Sequence, residues 1–366
     1  MTGLISMTLA GGGELQLGVD GSAYCLPESL EGAPTYDVRR YWALPGLADC
    51  HAHLSADSLQ ETDQHGQIDA IRRRAFSQLE AGVFLVVDKG WRDGTVLQLL
   101  SDPRHLRPHL EAAGQLITGR HGYFPGFAVE TDEAGLSDAV RAADPSGGWV
   151  KLVGDWPQKG RGPVINFGEE ALSAAVGVAH SAGARVAIHT MAPETPGMAV
   201  RAGVDSIEHG LYMTETDLIA LSDREGAWIP TVVNVEDVRS SLGAGSSGVR
   251  ILGEGLENVR RLLPLAAELG TTVLCGTDLG LAHGQVAREA VRLHEFGLGA
   301  SETVAAVGAS AYRYLDLEPL QAGADADLVL FADNPMDDPT ALTRPVAGMR
   351  AGRVVFDQTG LLPSPS

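Results

Sequence analysis

Between residues 44 and 278 the chain repeats one pattern: an amphipathic run, a glycine, then a short apolar block closed by a polar residue. The pattern is plain in LEAGVFLVVDKG (79–90), HSAGARVAIHT (180–190), VRAGVDSIEHG (200–210), DREGAWIPTVVN (223–234) and AELGTTVLCGTD (267–278). Gly82, Gly183, Gly203, Gly226 and Gly270 fit the left-handed residue that ends a helix. The blocks after them are continuously apolar rather than alternating, as in parallel strands covered on both faces. LPGLADCHAHL (44–54), HLEAAGQLIT (109–118) and GGWVKLVGD (147–155) bring the strand candidates to eight. Helical periodicity separates most of them, as in 168–183 and 251–270. Eight alternating units in about 250 residues predict an α/β fold, a (β/α)8 TIM barrel. A doubly wound open sheet is the alternative, but no G-x-G-x-x-G follows the first strand, and Gly11-Gly12-Gly13 reads as a turn.

The two ends of the chain differ from this middle. GELQLGV and VRRYWAL near the start, and ADADLVLFADNP (324–335) and RPVAGMRAGRVVFDQTG (344–360) near the end, read as short strands with turn residues. We expect residues 1–43 and 319–366 to form one small composite β domain beside a barrel spanning 44–318. The stretch SSLGAGSSG (240–248) reads as a lid or a surface loop.

Charge and composition narrow the partners. Lys and Arg number 27 against 47 Asp and Glu, a formal charge of −20. That excess disfavours a nucleic acid backbone or an anionic membrane as partner and leaves a small-molecule substrate, with a homo-oligomer open. Three cysteines are too few for a disulfide framework. The first residues show no basic leader, and no apolar window is long enough to span a bilayer, so the expectation is a cytoplasmic protein.

Active sites of barrels lie at the carboxyl ends of the strands. There the chain places His51 and His53 (strand one), Lys151 (strand four), His189 (strand five), His209 (strand six) and Asp278 (strand eight). Strand alternation puts His51 and His53 on one face, about 7 Å apart, and Cys50 and Ala52 on the other. By the same parity Val150, Leu152, Val186, Ile188 and Cys275 face the helices, and neither Cys50 nor Cys275 is expected as ligand or nucleophile. Each residue alone carries little: His65, His105, His109, His180 and His294 read as structural or surface residues. The joint order His-x-His, Lys, His, His, Asp at strand ends reads as a metal site.

These motifs, LPGLADCHAHL, WVKLVG (149–154), AIHT (187–190), SIEHG (206–210), LCGTDLG (274–280) and the closing GADADLVLFADNP (323–335), resemble the amidohydrolase superfamily of metal-dependent hydrolases, in its imidazolonepropionase-like and prolidase-like branch. The resemblance implies two divalent cations. His51, His53 and Asp278 would hold one and His189 and His209 the other, with carboxylated Lys151 as the bridging ligand. Histidine and carboxylate donors suit zinc, iron and manganese alike, with zinc the expectation. The resemblance also implies that Asp278 is the catalytic general base and acid. An unmodified Lys151 paired with Asp155 beside a single metal remains open. A Schiff-base lysine would leave four histidines unexplained.

Substrate contacts are expected from His121 in LITGRHGYF (116–124), from Tyr212 as an oxyanion donor, and from His283 on the loop after the eighth strand. Asp88 and Lys89 read as an ion pair closing strand two. Arg120, Lys159 and Arg161 are candidates for a substrate carboxylate. The expected reaction is metal-dependent cleavage of a C–N bond in an amide, an Xaa-Pro-like peptide or a cyclic amide. A mononuclear deaminase or imidazolone-type ring hydrolase is the alternative, and a phosphoesterase or lactonase would use the same site. A non-enzymatic scaffold is disfavoured because the ligand set is complete.

Overall fold

A computed structural model describes residues 1–56, 64–158 and 161–363. Its central feature is an all-parallel, eight-strand path: β1 (Leu47–Ala52), β2 (Val83–Asp88), β3 (His109–Gly119), β4 (Gly148–Val153), β5 (Arg185–Thr190), β6 (Ser206–His209), β7 (Ala227–Ile229) and β8 (Thr272–Val273). Each strand pairs with the next in chain order. The two ends of the path meet: Cys50 N–H donates to the Cys275 carbonyl (2.8 Å) and Asp278 N–H to the His51 carbonyl (2.7 Å). The sheet is therefore curled upon itself in a TIM-barrel-like α/β architecture, as the periodicity predicts.

Four of the five repeat glycines, Gly82, Gly183, Gly203 and Gly270, adopt left-handed φ angles. The fifth does not. Glu225 takes that conformation (φ 57°), and Gly226 is required for space instead, since a Cβ there would meet Leu221 Cδ1 at 2.4 Å.

Two apolar layers flank the strands. Phe84, Val86, Val150, Leu152, Val186, Ile188, Ile207 and Cys275 pack toward the helices. Ala48, Cys50, Leu85, Val87, Trp149, Ala187, Ile229 and Leu274 fill the interior with Tyr312 and Leu315. Cys50 is thus an interior residue, not a helix-facing one. The reason is a bulge in β1: Asp49 pairs with Val86 but Ala52 with Asp88, so β1 advances three residues where β2 advances two. An extra residue resets strand parity, and Cys50 and His51 both face inward.

The ends of the chain share one seven-stranded sheet, built from 2–44 and 328–357. Its core contains Ile5, Met7, Val19, Val38, Leu328, Leu330 and Met349. Residues 242–246 are an exposed connection between helices Val232–Ser241 and Ser247–Glu268, the second capped by Ser246 Oγ. Among the described residues no helix is long and apolar enough to cross a membrane.

Arg350 ties the terminal sheet to the barrel. It is 1% exposed; Nη1 donates to both Asp327 oxygens (2.8 and 2.7 Å) and to Asp325 (2.8 Å), and Nε to the Arg107 carbonyl just before β3 (3.2 Å). Removing it would strand a buried carboxylate, a loss worth about 3–5 kcal/mol. We expect Arg350→Ala to lower the urea midpoint accordingly. Arg350→Lys should recover only part of the loss, because an ammonium lacks the planar fork.

Candidate metal centre

His51, Lys151, His189 and His209 lie on β1, β4, β5 and β6, while His53 and Asp278 follow β1 and β8. All are buried, Asp278 with 11% of its side chain exposed. Regular strand geometry would not bring them together. His209 (φ 64°), Thr231 (φ 48°) and Asp278 (φ 48°) are left-handed non-glycine residues just at the strand ends. Such conformations cost roughly 1–3 kcal/mol each and persist where surrounding contacts hold them.

Those contacts also fix the imidazoles. His53 Nδ1 donates to the Gly90 carbonyl (2.6 Å) and His51 Nδ1 lies 2.6 Å from Glu208 Oε2. His209 Nδ1 lies 2.5 Å from Thr231 Oγ1, whose own proton goes to the Pro230 carbonyl. Each partner can only accept, so each of these rings carries a proton on Nδ1 and turns Nε2 outward. Those Nε2 atoms converge on Asp278: His53 at 3.2 Å and His51 at 3.7 Å from Oδ1, His209 at 3.8 Å from Oδ2. One donor atom from each of His51, His53 and Asp278 lies within 4.8 Å of the others. His189 Nδ1 is 2.9 Å from His209 Nε2, and Asn234 Nδ2 holds Asp278 Oδ2 at 2.6 Å.

Burial, opposed only in part by nearby carboxylates, pushes His51 to about 3 and His209 to about 4. Burial would raise Asp278, yet His51, His53 and His209 outweigh it and hold that carboxyl well below its usual range. Near neutral pH the cluster therefore offers an ionised carboxylate and neutral imidazoles at His51, His189 and His209, while at His53 burial is outweighed by the contact with Asp278, which raises the ring. Lys151 is 2% exposed and burial lowers it to about 8. Its Nζ and His189 Nε2 are buried atoms without a hydrogen-bond partner. Buried polar groups seldom remain so. Orphaned nitrogens beside three oriented imidazoles and a carboxylate fit a divalent transition-metal cation.

Two residues at the centre's base were not expected in it. Glu208, fully buried, accepts from Ser206 Oγ (2.6 Å) and contacts His51; its Oε1 is 3.2 Å from Lys89 Nζ. Lys89 Nζ in turn sits 3.9 Å from the centroid of the Trp149 ring. The signal was present: a glutamate directly before a candidate ligand, inside a fully buried strand. Lys89 does not pair with Asp88, whose oxygens instead accept from Leu54 N–H (2.6 Å) and Gly90 N–H (2.8 Å). Nor does Lys151 pair with Asp155, which accepts from the N–H groups of Met191 and Ala192.

The expected substrate contacts are more scattered. His121 is exposed, with its N–H on Glu130 (3.2 Å). Tyr212 is half-buried and its hydroxyl donates to the Ile251 carbonyl (2.9 Å); His283 is half-buried on the loop after β8. Arg120 pairs with Asp132 and Arg161 with Gln158, both at the surface. Lys159 and the His65 side chain lie outside the described residues.

The family model described as the amidohydrolase family matches residues 42–355. The chain is 32% identical over 323 residues to an uncharacterized protein of Mycobacterium tuberculosis, covering 85% of each. Among solved structures it is similar to a Xaa-Pro dipeptidase with bound methionine in the active site (TM-score 0.78, 21% identity, 97% of this chain and 99% of that one). It is likewise similar to A. niger ochratoxinase (TM-score 0.80, 18% identity, 98% and 96%). At these identities the structural likeness is one of fold.

Because Glu208 compensates Lys89 and both are fully buried, Glu208→Gln should destabilise the metal-free protein by about 3–5 kcal/mol. The double variant Lys89→Met/Glu208→Gln should regain much of that loss, since no uncompensated charge is left. Urea unfolding of both singles and the double measures the coupling; additive losses would mean that the two groups do not act as a pair.

Proposed function

The chain belongs to the amidohydrolase family and is a hydrolase of carbon–nitrogen bonds; from that premise we propose that it cleaves an amide, an Xaa-Pro-like peptide or a cyclic amide at a two-metal centre. His51, His53 and Asp278 would hold one divalent cation and His189 and His209 the other, with carboxylated Lys151 shared and zinc the expected ion. Bound metal supplies an acidified water and an electrophile for the substrate carbonyl. The observation that carries this reading is the buried, unpartnered Nζ of Lys151 among the convergent donors.

The chain's own groups define the rest. A lysine lowered to about 8 by burial is partly neutral near physiological pH. Its lone pair forms the N–C bond to carbon dioxide, a proton leaves to solvent, and the product is an anionic carbamate. Asp278 is ionised and anchored through Oδ2 by Asn234, so its position is fixed while Oδ1 faces His53. It takes the proton of the attacking water and returns it to the departing nitrogen. Nδ1 of His51, His53 and His209 stay committed to Glu208, Gly90 and Thr231, which keeps those rings from turning. His121, His283, and Tyr212 once its hydroxyl releases Ile251, stand on the loops after β3, β8 and β6. Substrate contact from them is part of this reading.

Metal analysis of protein purified with bicarbonate should give about two equivalents per chain, and Lys151→Ala should lose at least one. Asp278→Asn should lower turnover of amide substrates by about 10²–10⁴-fold while retaining some metal. The compact group His51, His53 and Asp278 favours one alternative, a mononuclear ring hydrolase or deaminase. A single equivalent at full activity, unaffected by Lys151→Ala, would establish that alternative instead.

A further inference from the structure

Aromatic residues are few in this chain, 8 Phe, 5 Trp and 7 Tyr, yet five gather at the mouth of the centre. They come from three successive loops: Trp91 after β2, Tyr123, Phe124 and Phe127 after β3, and Trp156 after β4. Their rings form a continuous arc. From His53 the centroid distances run 5.3 Å to Trp91, 5.3 Å on to Phe127, 6.2 Å to Phe124, 4.9 Å to Trp156 and 5.5 Å to His189. Tyr123 closes against Trp156 at 4.5 Å. The arc thus begins on one histidine of the centre and ends on another.

Two details set it apart from a folded-in core. Phe124 remains 48% exposed, and Phe127, Tyr123 and Trp156 are only half-buried. Trp91 is 5% exposed, and its buried Nε1–H has no acceptor. Most contacts along the arc are edge-on or tilted, which leaves ring faces and edges for one more ring. The arginines that would suit a substrate carboxylate are engaged at the surface, Arg120 by Asp132 and Arg161 by Gln158.

We infer that the substrate carries an aromatic substituent next to its scissile amide, seated in the arc of Trp91, Phe127, Phe124, Tyr123 and Trp156 between His53 and His189. The inference rests on the amide-hydrolase reading and names the substrate class for the same site. An aromatic ring should be preferred over a saturated ring of similar size, because aromatic pairs gain beyond area burial; that gain corresponds to about 2- to 12-fold in kcat/KM per ring pair.

The experiment compares matched amides on the metal-loaded protein: N-benzylacetamide against N-(cyclohexylmethyl)acetamide, and phenylacetamide against cyclohexylacetamide. We expect the aromatic member of at least one pair to win by about that factor. Trp156→Leu and Phe127→Leu should bring the ratio of aromatic to saturated amide near one. Equal rates within both pairs, or a ratio unmoved in both variants, would overturn the inference while leaving amide hydrolysis intact. If no amide is turned over, the amide-hydrolase reading fails, and the arc is tested by binding. N-benzylacetamide should then change the tryptophan fluorescence of the metal-free protein at concentrations where N-(cyclohexylmethyl)acetamide does not. Loss of that difference in Trp156→Leu would support the arc, and no difference in the wild type would refute it.

Discussion

The contact on which the centre depends is Glu208 with Lys89 and His51, inside the barrel and out of reach of water. Lys89, Lys151, Glu208 and Asp278 stand close together in this interior, above the buried carboxylates Asp49 and Asp88, which backbone N–H groups hold. Isolated charges there would cost far more than a fold can spare. Glu208 and Asp278 oppose the two ammoniums. One oxygen of Glu208 serves Lys89, the other fixes the ring of a candidate ligand. Stability of the barrel and orientation of His51 are therefore one property of one carboxylate, held well below its usual range because Lys89, Lys151 and His51 together outweigh its burial.

The same charge balance bears on Lys151. Two dications held by His51, His53, His189, His209 and Asp278 would add four positive charges. Carboxylation of Lys151 would replace an ammonium with an anion and so offset two of them. An unmodified lysine would have to coexist with the cations in a low-dielectric site where like charges repel strongly. Asp155, the counter-ion that the sequence suggests for it, is committed to backbone N–H groups of the loop after β5. Electrostatics thus favours a single metal with the lysine intact, or two metals with it carboxylated, and disfavours mixtures.

Much of this was legible in the sequence because parallel strands advertise themselves: both faces are covered, so the apolar block is continuous and its polar terminus stands out. All eight strand candidates overlap strands of the sheet, and the Nε2 atoms of His51, His53 and His209 converge on Asp278 with His189 beside His209. What escaped has particular physical causes. The parity of Cys50 was lost to a one-residue bulge, which leaves no mark in a string of small and apolar residues. The Lys89–Glu208 pair joins residues on β2's end and β6, distant in the chain, and a local reading pairs Lys89 with its neighbour Asp88 instead. At the fourth repeat the left-handed position falls on Glu225, because Gly226 is needed for close packing against Leu221. The aromatic arc is assembled from three loops and has no periodicity to betray it.

Loops, then, carry what distinguishes this barrel, and they do so unevenly around the rim. Those after β2, β3 and β4 contribute tryptophan, tyrosine and phenylalanine. Those after β6, β7 and β8 contribute Tyr212, Asn234, Asp278 and His283. Asp278, the proposed proton carrier, stands with the polar group, anchored by Asn234 from the helix after β7. A substrate bound across such a mouth has one favourable orientation: its apolar substituent toward the aromatic loops and its departing nitrogen toward Asp278. Reversing it would place a hydrophobic group against an ionised carboxylate and leave the amide's polar atoms against rings, with unmet hydrogen bonds on both sides. On the proposed reading the rim's asymmetry, and not the histidine cluster beneath it, sets the substrate's direction.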